Sequence, residues 1–382
     1  METIYLDHAA TSPVHPEVID VMTKSMASVI GNPSSIHKVG RDARKVLDDA
    51  RIVLANAIGA KDSEIIFTSG GTESDNTAIF SSVQALKHKG NHIITTQVEH
   101  HAVLNACEKL EKEGFDVTYL PVDETGRISI EEFKQALRED TIFVTIMYGN
   151  NEVGTIQPIE EIGDILKDHQ AIFHTDAVQA FGIRNLNVSR LNVDLLSVSS
   201  HKINGPKGIG FLYQRSGTPL IATFLGGSQE KKRRAGTENV HAAVGFSKAV
   251  EIAQENMENK RERYRVLRKI FLDVLNKEEV SYKVNGHKEY ALEHILNISF
   301  PGTDVESFLV NLDMDGVYAS SGSACTAGSI DPSHVLVAMY GNGAEELRNS
   351  IRFSFGLGLT EEQVKLAAER TAKIVKRLTN VF

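Results

Sequence analysis

Cysteine is scarce in this sequence: its 382 residues include only Cys107 and Cys325, and tryptophan is absent. Two cysteines cannot build a disulfide framework, and they exclude a zinc site with four cysteine ligands. Any cysteine chemistry must therefore use a free thiol, and we predict no bound metal.

Long apolar runs and an excess of basic residues are also missing. No run approaches the roughly 18 apolar residues that a membrane-spanning helix needs. Residues 1–7 include acidic side chains where a secretory signal would have a basic start and an apolar stretch. The net charge of −9 argues against a large nucleic-acid surface, although residues 231–234 form a basic run whose ordinary reading is a solvated loop. We therefore expect a cytoplasmic protein with no membrane role and no direct nucleic-acid contact.

Length and composition favour two domains. A chain of 382 residues exceeds one typical domain, and its 41% hydrophobic and 24% charged residues match ordinary folded proteins. From about residue 62 to residue 210, short β-branched runs alternate with amphipathic stretches, which is typical of α/β proteins with a mostly parallel sheet. Strands are predicted at residues 64–68, 92–96, 142–147, 171–175, 195–198 and 210–213.

The last third of the chain predicts a smaller α+β domain. Residues 241–277 have a helical and highly charged pattern, which indicates a long helix or a helix pair leaving the first domain. Two further strands, at residues 295–300 and 351–355, bracket Cys325. The predicted division is a large domain at residues 15–256 and a small domain at residues 1–14 and 257–382.

Three polar features follow predicted strands, and each has an ordinary alternative. Lys202 comes directly after the strand predicted at residues 195–198, where a lysine is usually only a solvated side chain. Asp176 ends another predicted strand, with Gln179 three residues later, and its ordinary reading is a helix cap. Residues 68–74 join a strand to a helix start through two glycines, which is also the pattern of an ordinary capped turn.

Taken together, these features match the needs of pyridoxal phosphate. This cofactor requires an amine for a Schiff base, a carboxylate beside the ring nitrogen and a set of donors for its phosphate. Lys202 offers the amine. Asp176 offers the carboxylate, whose charge keeps the ring nitrogen protonated and the ring an electron sink. Backbone amides at the helix start and the Thr72 hydroxyl offer donors to the phosphate.

The two cysteines receive different predictions. Cys107 shares a predicted helix face with Val103 and Leu110, so we expect a buried core residue. Cys325 lies within residues 320–329, a stretch of small and polar residues without hydrophobic anchors. Such a stretch cannot bury a thiol well, and Cys325 is therefore predicted to be exposed and reactive.

Motifs along nearly the whole chain resemble those of one enzyme family. They are Tyr5-Leu6-Asp7-His8-Ala9-Ala10-Thr11, Gly31-Asn32-Pro33-Ser34-Ser35, Ser69-Gly70-Gly71-Thr72-Glu73-Ser74, Glu99-His100, Asn150-Asn151-Glu152-Val153-Gly154, Asp176-Ala177-Val178-Gln179 and Ser199-Ser200-His201-Lys202. With them the sequence resembles the cysteine desulfurases of the class V aminotransferase group, which are fold type I pyridoxal-phosphate enzymes. The resemblance implies an α/β large domain with a mostly parallel seven-stranded sheet, and a smaller α+β domain that carries the catalytic cysteine loop at about residues 320–330.

The resemblance also implies roles around the cofactor, pyridoxal 5'-phosphate. Lys202 would form the Schiff base, Asp176 would pair with the ring nitrogen, and His100 would stack on the ring. Further cofactor contacts are implied for Gln179 and Asn151 at the ring oxygen, for Gly71, Thr72, Ser199 and His201 at the phosphate, and for Thr237 at the phosphate of a second subunit. A homodimer would then be part of the site.

For the substrate, the resemblance implies that Arg352 binds the α-carboxylate, a task suited to a planar guanidinium, with Asn151 beside it. Strand alternation alone would equally allow a solvated arginine at this position. His100 would shuttle protons and activate the thiol of Cys325, which would take the sulfur of L-cysteine as a persulfide.

The predicted function is therefore the conversion of L-cysteine to L-alanine, with sulfur passing from Cys325 to an acceptor protein such as an iron–sulfur scaffold or a tRNA thiolation enzyme. Selenocysteine lysis and transamination are alternatives on the same cofactor site, although an aminotransferase needs no reactive thiol. A noncatalytic sulfur carrier or assembly scaffold is an alternative of a different class. The joint presence of Lys202, Asp176 and His100 disfavours it.

Overall fold

The computed structural model describes residues 2–322 and 332–379. The β-strands are β1 (Ile4–Tyr5), β2 (Ile65–Thr68), β3 (His92–Thr96), β4 (Asp116–Leu120), β5 (Thr141–Thr145), β6 (Ile172–Asp176), β7 (Leu195–Ser199), β8 (Gly210–Gln214), β9 (Lys283–Asn285), β10 (Ile295–Ser299), β11 (Val317–Tyr318) and β12 (Ser350–Ser354). The α-helices are α1 (Pro16–Ser28), α2 (Lys38–Ala57), α3 (Gly71–Leu86), α4 (His101–Lys112), α5 (Ile130–Ala136), α6 (Ile159–Leu166), α7 (Val188–Leu191), α8 (Val240–Glu255), α9 (Met257–Lys277), α10 (Val305–Met314), α11 (His334–Tyr340), α12 (Glu346–Asn349) and α13 (Glu361–Thr379). None of these helices combines the length and the apolarity needed to cross a membrane.

A seven-stranded sheet forms the centre of the first part of the chain, in the order β2-β8-β7-β6-β5-β3-β4. Strand β8 runs antiparallel to both of its neighbours, and the remaining neighbouring pairs are parallel. The predicted α/β class with a mostly parallel seven-stranded sheet is confirmed. All six strands predicted in this region are present within two residues of their predicted bounds.

Strand β4 is the member of this sheet that the sequence pattern does not indicate. It lies at an edge and pairs only with β3, and it begins with the exposed Asp116. The inner strands β3, β5, β6 and β7 are buried along their whole length. Four of its five residues keep some contact with solvent, and β4 therefore lacks the continuous apolar run that identifies its neighbours.

Helices bury both faces of the sheet. Successive strand residues point to opposite faces, so Ile93 joins a core with α3 and α4 while Ile94 joins a core with α2 and α8. Cys107 belongs to the first core with 0% of its surface exposed, and burial raises the pKa of its thiol to about 12. The prediction that Cys107 is a core residue is confirmed.

A separate apolar core lies beyond the helix pair. The pair breaks at Asn256: α8 packs against α1 and α2, whereas α9 packs against α13. The antiparallel sheet β12-β10-β9 lies in this second core, and β1 pairs with β11, which ties the first strand of the chain to its last third. The division into domains at residues 1–14, 15–256 and 257–382 stays a prediction.

An ion cluster connects the large sheet's loops to α9. Glu293, just before β10, is mostly buried, and its Oε1 accepts contacts of 3.0–3.1 Å from three guanidinium groups. They belong to Arg184, which follows β6, and to Arg261 and Arg265 on α9. Arg261 also pairs with Glu258 at 2.7 Å and Arg265 with Glu262 at 3.0 Å, so Arg184 is the member of the cluster that depends on Glu293.

We expect Glu293→Ala to lower the free energy of unfolding by about 3 kcal/mol, because it leaves the mostly buried guanidinium of Arg184 without its anion. Glu113→Ala is the matched control: Glu113 pairs with Lys109 at 2.6 Å on an exposed helix surface, where the loss is less than about 0.5 kcal/mol. Urea unfolding of the cofactor-free variants measures both values. Equal losses in the two variants would contradict a stabilising role of the cluster.

Candidate active site

A cavity of about 280 Å³ opens at the carboxyl ends of the inner strands. The predicted site residues that line it are Gly71, Thr72, His100, Asn151, Asp176, Gln179, Ser199, His201, Lys202 and Arg352. Asp176 and Ser199 are the last residues of β6 and β7. Because parallel strands end at one edge of a sheet, polar residues far apart in sequence meet in this cavity.

Lys202 enters the cavity from the short turn that follows β7. Its Nζ donates to the carbonyl oxygens of Ala9 and Ala10, with 2.8 Å to Ala10. These carbonyls belong to the segment after β1, so residues 192 and 193 positions apart in the sequence meet at this amine. The contacts keep the amine inside the cavity rather than in solvent. The alternative interpretation of Lys202 as a solvated side chain is therefore wrong.

The glycine turn at the start of α3 forms one wall of the cavity. Gly70 has φ of +149°, and a Cβ at Gly71 would stand 2.8 Å from Val178 Cγ2. A side chain at Gly71 would therefore collide with the neighbouring loop. The sixteen-residue helix α3 begins here, so its unpaired amides and dipole favour an anion at this end.

Asp176 is buried at the end of β6, and burial raises the pKa of its carboxyl to about 6. The Val178 amide, which donates to Asp176 Oδ1 at 2.9 Å, and the charge of Lys202 oppose this rise. The carboxylate thus caps a turn, as the ordinary reading expects, and also faces the cavity. A cationic group placed beside it would lower its pKa and hold it ionised.

Gln179 has both ends of its amide fixed. Its Nε2 donates to the Ala9 carbonyl at 2.9 Å, and its Oε1 lies 3.3 Å from Nε2 of the buried His294. Burial lowers the pKa of His294 well below its ordinary value, so the neutral ring donates from Nε2. The amide of Gln179 is therefore oriented with its NH2 group toward the segment that also holds Lys202.

Arg352 lies in β12 and is only 3% exposed. The alternative interpretation of Arg352 as a solvated side chain is therefore wrong. Its guanidinium donates to the Asn151 carbonyl at 3.0 Å and pairs with Asp7 at 2.8 Å. Its Nε is buried and has no hydrogen-bond partner among the described residues. An unpaired buried donor is costly, so this side chain favours an additional acceptor in the cavity.

His100 is the N-cap of α4. Its Nδ1 accepts the amide N–H of Ala102 at 3.1 Å, so the neutral ring carries its proton on Nε2. Burial, followed by the positive charge of Lys202, lowers the pKa of His100 to about 4. At neutral pH the ring is therefore an uncharged hydrogen-bond donor. To accept a proton as a base, it must give up the cap at Nδ1.

The sequence pattern does not indicate two buried polar residues beside Asp176. Asp75, on α3, has an Oδ1 without a hydrogen-bond partner, and burial raises the pKa of its carboxyl well above the ordinary range. His174 donates or accepts at Thr145 (2.8 Å) and Ser197 (2.9 Å), and its Nε2 lies 3.6 Å from Asp75 Oδ1. The only available signal was polarity inside otherwise apolar elements.

Comparison with known proteins identifies the family. The family description aminotransferase class-V matches residues 4–366. The chain is 58% identical over 379 residues to a protein named putative cysteine desulfurase IscS 1 from Bacillus subtilis (strain 168), covering 99% of this chain and 100% of that protein. It is 48% identical to cysteine desulfurase IscS from Dictyoglomus turgidum, covering 99% of this chain and 96% of that protein. A solved NifS-like protein superimposes with a TM-score of 0.92 at 34% identity, covering 98% of this chain and 100% of that one.

The chain belongs to the cysteine desulfurases of the class-V aminotransferase family. Enzymes of this family depend on pyridoxal phosphate, and the cavity of this desulfurase fits the cofactor. The fit is seen in the amine of Lys202, in the buried carboxylate of Asp176, which a neighbouring cation would stabilise, and in the side-chain-free helix start at Gly71. The resemblance seen in the motifs and the fold type I assignment are thereby confirmed.

The two remaining predicted site residues of the desulfurase are Cys325 and Thr237. Cys325 lies outside the described residues, although Gly322, three positions earlier, is at the cavity wall. Thr237 is exposed and lines a neighbouring hollow with Thr68 and Ser69. Within one chain it does not reach the cavity that holds Lys202, so its role at the phosphate of a second subunit stays a prediction.

The basic run at residues 231–234 is only partly solvated. Its two lysines are exposed. Arg233 donates to Gln214 at 3.1 Å, and Arg234 pairs with Glu73 in the first turn of α3 at 2.8 Å. The arginines therefore tie this loop to the glycine turn at the cavity.

Glu99 supports the floor of the desulfurase cavity next to His100. Its two carboxyl oxygens accept the Met147 amide at 2.9 and 3.0 Å, and Thr96 Oγ1 donates to Oε1 at 2.8 Å. Burial is the largest influence and raises the pKa of Glu99 to about 8, against an ordinary value of 4.5. Because the folded pKa is raised, the stability that depends on the protonated form is complete below about pH 4.5 and is lost as the pH rises through 8.

We expect Glu99→Gln to flatten the pH dependence of stability, because glutamine keeps an acceptor oxygen for the Met147 amide and removes the titration. The Tm of the cofactor-free wild type should fall by several degrees more than that of the variant between pH 5 and pH 9. Thermal unfolding followed by circular dichroism measures this difference. Parallel curves for the two proteins would show that Glu99 does not titrate in this range.

Proposed function

We propose that this protein removes the sulfur atom of L-cysteine, releases L-alanine and holds the sulfur as a persulfide on Cys325. The observation that carries the proposal is one cavity that unites Lys202, Asp176 and Arg352 with Gly322 at its wall. Three residues of extended chain reach about 11 Å at most. Cys325 is therefore tethered close to the groups that would bind cofactor and substrate.

The cofactor is held by residues with separate tasks. Bound pyridoxal phosphate supplies a carbonyl that reacts with amines and a ring that accepts electrons. Lys202 would hold it covalently and would take the proton from the α carbon of the substrate. Asp176 would hold a proton at the ring nitrogen, and Gln179 and Asn151 would hold the ring oxygen. Gly71, Thr72, Ser199 and His201 would hold the phosphate.

Arg352 binds the α-carboxylate of the substrate. Its guanidinium is already oriented by Asp7 and by the Asn151 carbonyl, and its buried Nε lacks a partner among the described residues. A carboxylate satisfies that donor and adds a charge-assisted bond. The arrangement selects amino acids over amines that lack the carboxylate.

Sulfur transfer needs no external oxidant. The Cys325 thiolate attacks the substrate sulfur, the sulfur–carbon bond breaks, and its electron pair stays with the carbon atom. That carbon then takes a proton, so that L-cysteine and the thiol become L-alanine and a persulfide. His100 presents its Nε2–H to the cavity and is the group proposed to relay protons, once its ring releases the cap on α4.

Three wider proposals follow from the family. The persulfide passes its sulfur to an acceptor protein, either an iron–sulfur scaffold or a tRNA thiolation enzyme. The protein acts in the cytoplasm as a homodimer, in which Thr237 reaches the phosphate bound by the partner. Large apolar side chains on the single chain support a covered surface, since Ile30, Ile36 and Leu225 are 82%, 91% and 87% exposed.

The proposed reaction predicts equal yields of alanine and sulfide from L-cysteine when excess dithiothreitol reduces the persulfide. Cys325→Ala should release neither product above background, because it lacks the sulfur-accepting thiol, while it keeps the visible absorption of bound cofactor. Amino-acid and sulfide assays measure both yields, with Cys107→Ala as the control that retains activity. If the cofactor-loaded wild type forms neither product, the substrate assignment fails, and transfer of the amino group to a keto acid becomes the next assay.

Variants of His100 separate proton relay from helix capping. Asparagine is a preferred N-cap residue, so His100→Asn should keep the stability of the cofactor-free protein, whereas His100→Ala should lose about 1 kcal/mol. Both should lower turnover about 100-fold or more, because both lack the imidazole. Steady-state assays and urea unfolding measure the two properties. Near-normal turnover of His100→Asn would remove His100 from the proton relay.

A further inference from the structure

Glu152 is a buried acid that neither cofactor nor substrate binding explains. It follows Asn151 in the turn after β5 and is 3% exposed. Its amide donates to Asn150 Oδ1 at 2.8 Å, and its carbonyl accepts from Asn297 at 3.2 Å. The backbone is thus held on both sides, which gives the carboxylate a fixed direction.

That carboxylate meets the residue that follows the Cys325 segment. Ser333 Oγ donates to Glu152 Oε2 at 2.5 Å and also accepts the Leu336 amide at 3.2 Å, as the N-cap of α11. The link therefore fixes both the serine and the beginning of the helix.

The same oxygen meets the residue that precedes the segment. A Cβ added to Gly322 would stand 2.7 Å from Glu152 Oε2, and Gly322 has φ of +88°. Only glycine allows this backbone conformation without strain together with such a close approach. Gly322 and Ser333 flank residues 323–332, so one carboxylate oxygen touches both ends of the segment that contains Cys325.

Helix α11 packs against the loops that carry the active-site residues. His334 Nε2 lies 2.9 Å from the Glu99 carbonyl, and its ring is 4.7 Å from that of His101. Val335 and Leu336 pack in one apolar cluster with Val98 and Val153. The anchor at Ser333 is therefore rigid relative to the neighbours of His100 and Asn151.

We propose that Glu152 is a positioning residue for Cys325: its carboxylate binds Ser333 by a hydrogen bond and packs against Gly322 at the wall of the cofactor cavity, which restrains both ends of the segment. Tying the ends of a segment reduces the conformations open to it, which raises the effective concentration of the thiol at the substrate. This inference rests on the proposed function, in which Cys325 receives sulfur.

The first test compares Glu152→Ala with Glu152→Gln, which keeps an oxygen acceptor for Ser333. In a single turnover of cofactor-loaded protein with L-cysteine, the persulfide on Cys325 is trapped by alkylation and counted by mass spectrometry. We expect Glu152→Ala to form it about 10- to 100-fold more slowly and Glu152→Gln to stay within about threefold of wild type. The change in cofactor absorbance on adding L-cysteine should be unaltered in both variants, because substrate binding does not involve Glu152.

Gly322→Ala probes the same contact from the other side. Its methyl group would displace the carboxylate of Glu152, so it should also slow persulfide formation. If the two residues act through one contact, the double variant should be no slower than the slower single variant. Additive losses would show that the two residues act separately and would overturn the proposal.

A second measurement needs neither cofactor nor activity. In cofactor-free protein, iodoacetamide should alkylate Cys325 about threefold or more faster in Glu152→Ala than in wild type, because the flanking residues are no longer tied. Buried Cys107 is the internal reference and should stay unmodified in both. Modification of Cys107 in the variant would indicate general unfolding. In that case the alkylation rates of Cys325 in Glu152→Gln and Gly322→Ala decide whether Glu152 restrains Cys325.

The outcomes separate the inference from the proposed function. If wild type forms persulfide and Glu152→Ala forms it at the same rate, the positioning role is overturned while the function stands. If wild type forms no persulfide, the proposed function fails, and the alkylation rates alone decide whether Glu152 restrains Cys325. Equal alkylation rates in that case would overturn the inference as well.

Discussion

The constraint on which the site depends is the common direction of the inner strands. Because β3, β5, β6 and β7 are parallel, the residues that follow them emerge at one edge of the sheet. The helix start at Gly71 reaches the same edge through β2, which is parallel to β7 across the antiparallel β8. An amine, a carboxylate and an anion-binding helix start thus share one cavity without any one loop having to supply them.

Burial at this edge determines the protonation of the groups that meet there. It raises the pKa values of Asp176 and Glu99 and lowers that of His100, so at neutral pH the ring of His100 and the neighbouring carboxyl of Glu99 are uncharged. Arg352 is a buried cation at the cavity, and Asp7 and the Asn151 carbonyl orient its guanidinium.

The sequence predicted those parts that have a local pattern. Alternation and apolar runs indicated six strands of the large sheet, and the helical spacing of Val103, Cys107 and Leu110 indicated a core cysteine. Lys202, Asp176 and the glycine turn each follow a predicted strand. Together they match what pyridoxal phosphate requires, independently of the family resemblance. Strand β4 was not predicted because its partly exposed residues form no continuous apolar run. Asp75 and His174 were not predicted because polar residues inside buried elements have no distinctive spacing.

By itself the sequence determined the fold class and the cofactor chemistry, because residue type and short-range spacing carry that information. Only the tertiary structure decided that Arg352 is buried against Asp7, that His100 caps a helix through the nitrogen a base would use, and that Glu152 touches both Gly322 and Ser333. These features are distances between atoms of residues remote in the chain, and their energies depend on exclusion of water. Neither quantity exists until the chain has folded.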